Sequence, residues 1–236
     1  MDPWSANEFA KQLRAVGREQ YHDKHPFHRM MNKGQLDREQ IRLWVANRFY
    51  YQKNIPIKDA ILLSRCPLRT IRRKWVQRIL DHDGFGDDPG GIEKWLRLGE
   101  GVGLTRDDLE SERMLLPGIR YSVDAYVNFV ATRTWIEGVA SSLTELFAPN
   151  LMKERLAAFQ KHYPWIDPQA LAYFRSRPLL ASRDSEHGLL LVRTYCRSRK
   201  EQEQAVAALQ FKCDLLWTQL DALYYHCVDS TRNKTS

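Results

Sequence analysis

Apolar residues recur along this chain at three- and four-residue spacing, the repeat of an α-helix with one buried face, while the two-residue alternation of a β-strand is scarce. The pattern predicts an all-α protein: one bundle of about seven helices, a single domain over residues 1–236 with a loose polar tail from about 228. Asp37, ahead of E-Q-I-R-L-W, caps a long helix running to Cys66, with Pro56 inside it as a kink. A second helix spans about 68–83 and stops at the loop 84–90. Further helices are expected near 91–102, 105–114, 118–134, 135–149 and 150–162, the last ended by Pro164. A helical region over 168–198 is interrupted by Pro178, and a final helix covers about 200–227. No repeat, low-complexity segment or linker divides the chain.

Polar side chains fall on several of these apolar stripes. In the helix from Asp37, the stripe Ile41, Trp44, Val45 continues at helical spacing into Arg48, Gln52 and Ile55. In the next helix, Ile71, Trp75 and Ile79 share a stripe with Arg78 and His82, which lie four residues apart and are neighbours. Tyr173 and Arg177 repeat that spacing, and beyond Pro178 the same face carries Leu180, Asp184, His187 and Leu191. Lys212 flanks the stripe of Leu209, Leu216 and Leu223. Taken singly, each is an inter-helix ion pair or a side chain whose stem covers the core. Four helices with the same feature point further. Burying an unpaired charge costs on the order of several kcal/mol, so a bundle that turns Arg48, Arg78, Arg177 and Lys212 inward encloses a basic cavity. Such a cavity suits an anion such as a polycarboxylate, which arginine holds through two parallel hydrogen bonds.

The net charge of +7 agrees with either a basic surface or an anionic partner and does not choose between them. The cluster Arg69, Arg72, Arg73, Lys74 shares its helix with Ile71 and Trp75, so it reads as an amphipathic helix before a nucleic-acid contact. No nucleic-acid partner is expected. No apolar run approaches the roughly 18 residues of a membrane span, and Met1 to Phe9 is too polar for a secretory signal. Four cysteines without a C-x-x-C pair fit thiols in a reducing cytoplasm. Glycine-rich phosphate loops and dinucleotide fingerprints are absent.

Candidate chemistry centres on His82, in R-I-L-D-H-D-G at a helix end, where the helix dipole favours the charged imidazole. Tyr173 and Arg177 are donors for a developing negative charge. The run Tyr21 to His28 places His22, His25 and His28 three residues apart, but Pro26 disrupts any regular metal-binding helix there. Glu145, Asp184, His187 and His82 have the chemistry of a di-metal site, though no Glu-x-x-His pair supplies the usual ligands. Cys66 and Cys213 are the only thiols placed to act as the nucleophile of a hydrolase.

Several long segments resemble the pyrroloquinoline-quinone synthase family. They are W-V-A-N-R-F-Y-Y-Q (44–52), I-P-I-K-D-A (55–60), R-R-K-W-V-Q-R-I-L-D-H-D-G (72–84), G-G-I-E-K-W-L-R-L-G (90–99), L-P-G-I-R-Y-S-V-D-A-Y-V-N-F (116–129), S-S-L-T-E-L-F-A-P (141–149), H-Y-P-W-I (162–166), Y-F-R-S-R (173–177) and L-Q-F-K (209–212), in order along nearly the whole chain. The resemblance implies a heme-oxygenase-like, TenA-like helical bundle, a homodimer, and the last step in making the coenzyme pyrroloquinoline quinone. There a bicyclic tricarboxylate is closed to a third ring and oxidised by eight electrons, with molecular oxygen as oxidant, hydrogen peroxide released, and no metal or organic cofactor. Carried over position by position, the resemblance assigns substrate binding to Tyr21, His22, Arg48, Gln52, Arg78, Tyr126, Thr144, Glu145, Arg155 and Lys212, and oxygen handling and proton transfer to His82, Tyr173 and Arg177. This chain departs from the pattern at two places. Met152 stands where well-known members carry a histidine of the oxygen-handling group, and Pro178 directly follows Arg177. A di-metal oxidase of the same fold and a quinone-binding homologue without turnover remain as alternatives.

Overall fold

The computed structural model describes residues 1–229, which contain eleven α-helices and no strand. These are α1 (Ala6–Gln20), α2 (Pro26–Asn32), α3 (Arg38–Arg65), α4 (Arg69–Asp83), α5 (Gly90–Gly101), α6 (Arg106–Glu110), α7 (Pro117–Thr132), α8 (Trp135–Ser141), α9 (Ala148–His162), α10 (Ala172–Tyr195) and α11 (Arg199–Tyr224). Local sequence starts many of them. Ser5 with Glu8, Asp37 with Gln40, Thr105 with Asp108, Thr134 with Glu137 and Ser198 with Glu201 each form a reciprocal capping box that satisfies the first free amides. Pro26 and Pro117 open α2 and α7, where a missing amide hydrogen costs nothing.

The long helix α3 lies against α4, α5 and α7, α10 packs on α9, and α11 runs beside α1, α7 and α8. One hydrophobic core extends from Phe9 to Val228. At its centre Trp44 meets Trp95 edge to face at 5.5 Å, and Phe159 meets Phe174 at 5.4 Å. This aromatic cluster joins α3, α9 and α10, which carry candidate-site residues, to α5. No helix among the described residues is long and apolar enough to cross a membrane.

The all-α expectation holds, but the helices number eleven rather than about seven. Two of the additional ones, α1 and α2, lie ahead of the first expected helix. α2 is only seven residues long, whereas α1 carries a regular stripe, Phe9, Leu13 and Val16, beside its Ser5–Glu8 box, and both signals were missed. The helix expected over 105–114 ends at Glu110, because Glu112 takes a left-handed backbone with φ of 58°. The segment expected as one helix over 135–149 divides into α8 and a 3-10 turn, Ser142–Leu146. Pro178 interrupts nothing: α10 runs from Ala172 to Tyr195 through it. The proline removes one amide donor, and packing on α8 and α9 holds the helix through the gap. Likewise α3 is unbroken through Pro56. After α11 the chain makes a π-helical turn, Tyr225–Asp229, with Val228 buried. The rest of the tail expected to be loose, 230–236, lies outside the described residues.

Candidate functional site

The polar residues on the apolar stripes come together. Arg48, Gln52 (α3), Arg78, His82 (α4), Tyr126 (α7), Arg155 (α9), Tyr173, Arg177 (α10) and Lys212 (α11) are joined by Tyr21 and His22, between α1 and α2, and by Thr144 and Glu145 on the 3-10 turn. Arg48 and Glu145 are half-buried and the other eleven are buried. Tyr21, His22, Arg48, Thr144, Glu145, Tyr173 and Arg177 line one internal cavity, with Tyr51, Ile55 and Met152 among its other walls. The cavity measures about 30 Å³, room for a water molecule or two. A larger surface groove of about 490 Å³ between α4 and α10 touches this constellation only through Arg78, with Asp184 beside it.

The charges divide into two groups. One group is neutralised. Asp59, fully buried, accepts from Lys58 Nζ at 2.6 Å and from Trp75 Nε1 at 2.8 Å, and lies 3.4 Å from Arg78 Nε. Arg78 Nη1 also lies 2.8 Å from Asp184, and Nη2 lies 3.6 Å from Glu145. Glu145 in turn accepts from Arg177 Nη2 at 2.6 Å. Against the effect of burial, the Lys58 ammonium and then Arg78 hold Asp59, and Arg78 and Arg177 hold Asp184, below the usual carboxylate range. Arg78 is therefore a compensated cation rather than a bare one. Sequence reasoning missed Asp59 and Lys58. The face Arg48, Gln52, Ile55 continues at helical spacing to Asp59, and that periodicity identifies it.

The second group has no ion-pair partner among the described residues. Arg48 donates to Gln219 Oε1 at 3.1 Å and lies 3.9 Å over the Tyr51 ring. Lys212 Nζ, wholly buried and without a hydrogen-bond partner, sits 3.3 Å from the Tyr126 ring centre and 4.2 Å from that of Tyr51. Arg155 lies 5.0 Å over Trp44. Burial, and then the charge of Arg48, pull Arg155 down to about 9 and Lys212 well below the ordinary lysine value. Tyr51, between Arg48 and Lys212, is a third residue that sequence reasoning missed.

His82 is fixed by its surroundings. Gly84 (φ 95°) and Gly90 (φ 77°) fold the chain back after α4, and a side chain at Gly90 would strike the His82 carbonyl. Nδ1 lies 2.9 Å from the Arg78 carbonyl, which only accepts, so Nδ1 carries the proton and donates. Nε2 is then a bare, buried lone pair without a partner. The expected stabilisation of the charged imidazole by the helix end is overturned. Burial, and then the Arg177 charge, bring His82 down to about 4. His22 and His28 are also held well below 6.5, chiefly by burial. These imidazoles take up protons near pH 6.5 when unfolded but stay neutral when folded, so their contribution to stability is lost as pH falls below that value. The melting temperature is expected to decline steadily from pH 6.5 to 4.5 in a thermal unfolding series. A flat profile would mean that these side chains are protonated in the fold without penalty.

Tyr173 donates to Gln52 Oε1 at 3.0 Å. The three histidines of the 22–28 run diverge. His25 caps α2 through Nδ1 and reaches Asp221 on α11 at 2.9 Å, while His28 contacts Arg155. Among the described residues no cluster of His, Cys, Asp or Glu side chains has metal-binding geometry, and the carboxylates of the di-metal alternative are engaged by Arg78 and Arg177. Cys213 is fully buried and its thiol is pushed up to about 12, far from the thiolate a hydrolase requires.

Fold and site together define an all-helical protein with a buried cavity lined by cations. A model of the TENA/THI-4/PQQC family matches residues 10–222. The chain is 55% identical over 222 residues to the pyrroloquinoline-quinone synthase of Klebsiella pneumoniae, covering 94% of this chain and 88% of that protein. It is 55% identical over 220 residues to the pyrroloquinoline-quinone synthase of Acinetobacter baylyi, covering 93% and 86%. A heme oxygenase-like domain from Shewanella denitrificans superposes with a TM-score of 0.72 at 14% identity, covering 93% and 90%. The chain belongs to the TENA/THI-4/PQQC family and has the heme oxygenase-like fold.

Proposed function

We propose that this protein catalyses the last step of pyrroloquinoline quinone synthesis: ring closure and eight-electron oxidation of a bicyclic tricarboxylate by molecular oxygen, with hydrogen peroxide released and no metal or organic cofactor. One observation supports this reading most. Arg48 lines the cavity, Lys212 lies 4.2 Å from the ring of the wall residue Tyr51, and Arg155 is buried on α9; none of the three has a carboxylate partner, and they match in number the carboxylates of the substrate. They hold and orient it, which supplies rate by fixing a reactive geometry. His82 accepts a ring proton at its bare Nε2. Arg177 and Tyr173 stabilise negative charge as oxygen is reduced. Arg78, already neutralised by Asp59 and Asp184, keeps Glu145 and the 3-10 turn in place.

The walls must part to admit substrate, since sites for such ligands run to roughly 300–1,000 Å³ against about 30 Å³ here. The test is single-turnover spectroscopy with the metal-stripped protein and the bicyclic precursor. Appearance of the quinone with oxygen uptake is the expected result. Activity that tracks added iron would support a di-metal oxidase instead. Tight binding without oxidation would make the protein a quinone binder, an outcome consistent with the thioether of Met152 in the cavity wall.

A further inference from the structure

Beyond the residues already placed in the site, the structure assigns a positioning role to His28. We infer that His28, braced by Asn32, fixes the direction in which Arg155 presents its remaining donors to a substrate carboxylate. The inference rests on the reading of Arg155 as a substrate clamp.

His28 lies on α2 and is 1% exposed. Its Nδ1 is 3.0 Å from Nη2 of Arg155 on α9, and its Nε2 is 3.1 Å from the side-chain amide of Asn32, one turn along α2. A guanidinium has donors and no acceptor. Arg155 therefore donates to Nδ1, and Nδ1 is the bare nitrogen. A neutral imidazole has only one bare nitrogen, so Nε2 carries the proton and must donate. The structure sets Asn32 Nδ2 there, and exchanging the two ends of that amide lets Nε2–H donate to Oδ1. Were the NH₂ group of Asn32 left facing the ring, both ring nitrogens would face donors and the ring would have to be an imidazolate. Turning the oxygen to the ring also gives Asn32 Oδ1 the partner it otherwise lacks.

The rest of the surroundings agrees. Trp44 and Phe174 face the guanidinium at 5.0 and 5.9 Å. Ring faces hold its plane but leave it free to turn within that plane. Among the described residues, His28 is the one hydrogen-bond partner that sets the in-plane direction. Arg155 Nε is buried without a partner, so a donor remains for a carboxylate. Protonation of His28 would set N–H against N–H, and burial together with the Arg155 and His25 charges keeps it neutral.

Two variants separate positioning from packing. His28→Leu removes the acceptor, whereas His28→Gln retains an acceptor oxygen. The probe is pyrroloquinoline quinone, titrated into full-length protein and followed by its absorbance. His28→Leu is expected to weaken binding by about tenfold or more, because a buried charged donor loses its partner, and His28→Gln to restore most of that loss. Nitrogen-15 NMR of the unliganded protein should show His28 with a bare Nδ1 and a protonated Nε2, a signature that packing alone does not set. A protonated Nδ1, or equal loss of affinity in both variants, overturns the inference. Weakened binding in Arg155→Ala beside unchanged binding in His28→Leu would remove the brace alone. Unchanged binding in Arg155→Ala would remove the clamp on which it stands.

Discussion

Replacing His82 by alanine is expected to slow turnover by about 10²–10⁴-fold and to leave substrate affinity nearly unchanged. The two effects separate because His82 carries none of the anchoring. Arg78, on the same helix face, is held by Asp59 and Asp184 and keeps its place without the imidazole. What the alanine removes is a base whose orientation and tautomer are fixed before substrate arrives. Its Nδ1–H is tied to the Arg78 carbonyl at 2.9 Å and its Nε2 is left bare. In the unliganded protein that base is weak, brought down to about 4 by burial and by Arg177. Three incoming carboxylates offset the nearby positive charge and raise its proton affinity when a proton has to be accepted. Rapid-mixing experiments with the bicyclic precursor distinguish the outcomes. Normal binding followed by a slow oxidation phase is expected, and an oxidation phase at the wild-type rate would remove His82 from the mechanism.

The site was more legible in the sequence than its charge balance. Arg48 with Gln52, Arg78 with His82, and Tyr173 with Arg177 stand four residues apart on otherwise apolar stripes, and helix geometry turns such pairs to the same side. In the structure Arg48, Tyr173 and Arg177 line the cavity, Gln52 accepts from Tyr173, Arg78 and Arg177 share Glu145, and His82 is tied to the Arg78 carbonyl. Local spacing does not show which cation meets which carboxylate. Asp184 and Glu145 reach Arg78 from α10 and the 3-10 turn, contacts made only by the tertiary fold. The state of His82 was misjudged for a related reason. A helix end favours the charged ring by a fraction of a kcal/mol to about 2 kcal/mol, and burial beside Arg177 outweighs it. Short helices such as α2 and α8 span too few residues to show a full apolar repeat. At Pro178 the local rule against proline in a helix was overridden by packing on α8 and α9.

Lys212→Met is expected to stabilise the protein while strongly weakening its affinity for the substrate. Lys212 is wholly buried, its Nζ has no hydrogen-bond partner, and burial, Arg48 and Lys58 all oppose its charge. An unsatisfied buried polar group costs roughly 1–3 kcal/mol, which methionine removes while keeping the unbranched stem between Tyr51 and Tyr126. For a chain of this size that corresponds to a rise of roughly 3–10 °C in melting temperature. The same substitution leaves one substrate carboxylate facing a thioether. Losing one partner of a buried charge pair costs roughly 2–5 kcal/mol, so affinity should fall by about 100-fold or more. Proton linkage provides the independent check. Folding holds the Lys212 amine well below its ordinary value and a bound carboxylate raises it again, so binding should draw a proton from solution at pH values between the two. Calorimetric titrations in buffers of different ionisation enthalpy should show proton uptake in the wild type that is reduced in Lys212→Met. A variant that is no more stable, yet binds as tightly and with the same uptake, would mean that Lys212 is a satisfied structural residue. Stability lost where the cation stands unpartnered and regained when the anion arrives is the energetic signature expected of a site built for its ligand rather than for the fold.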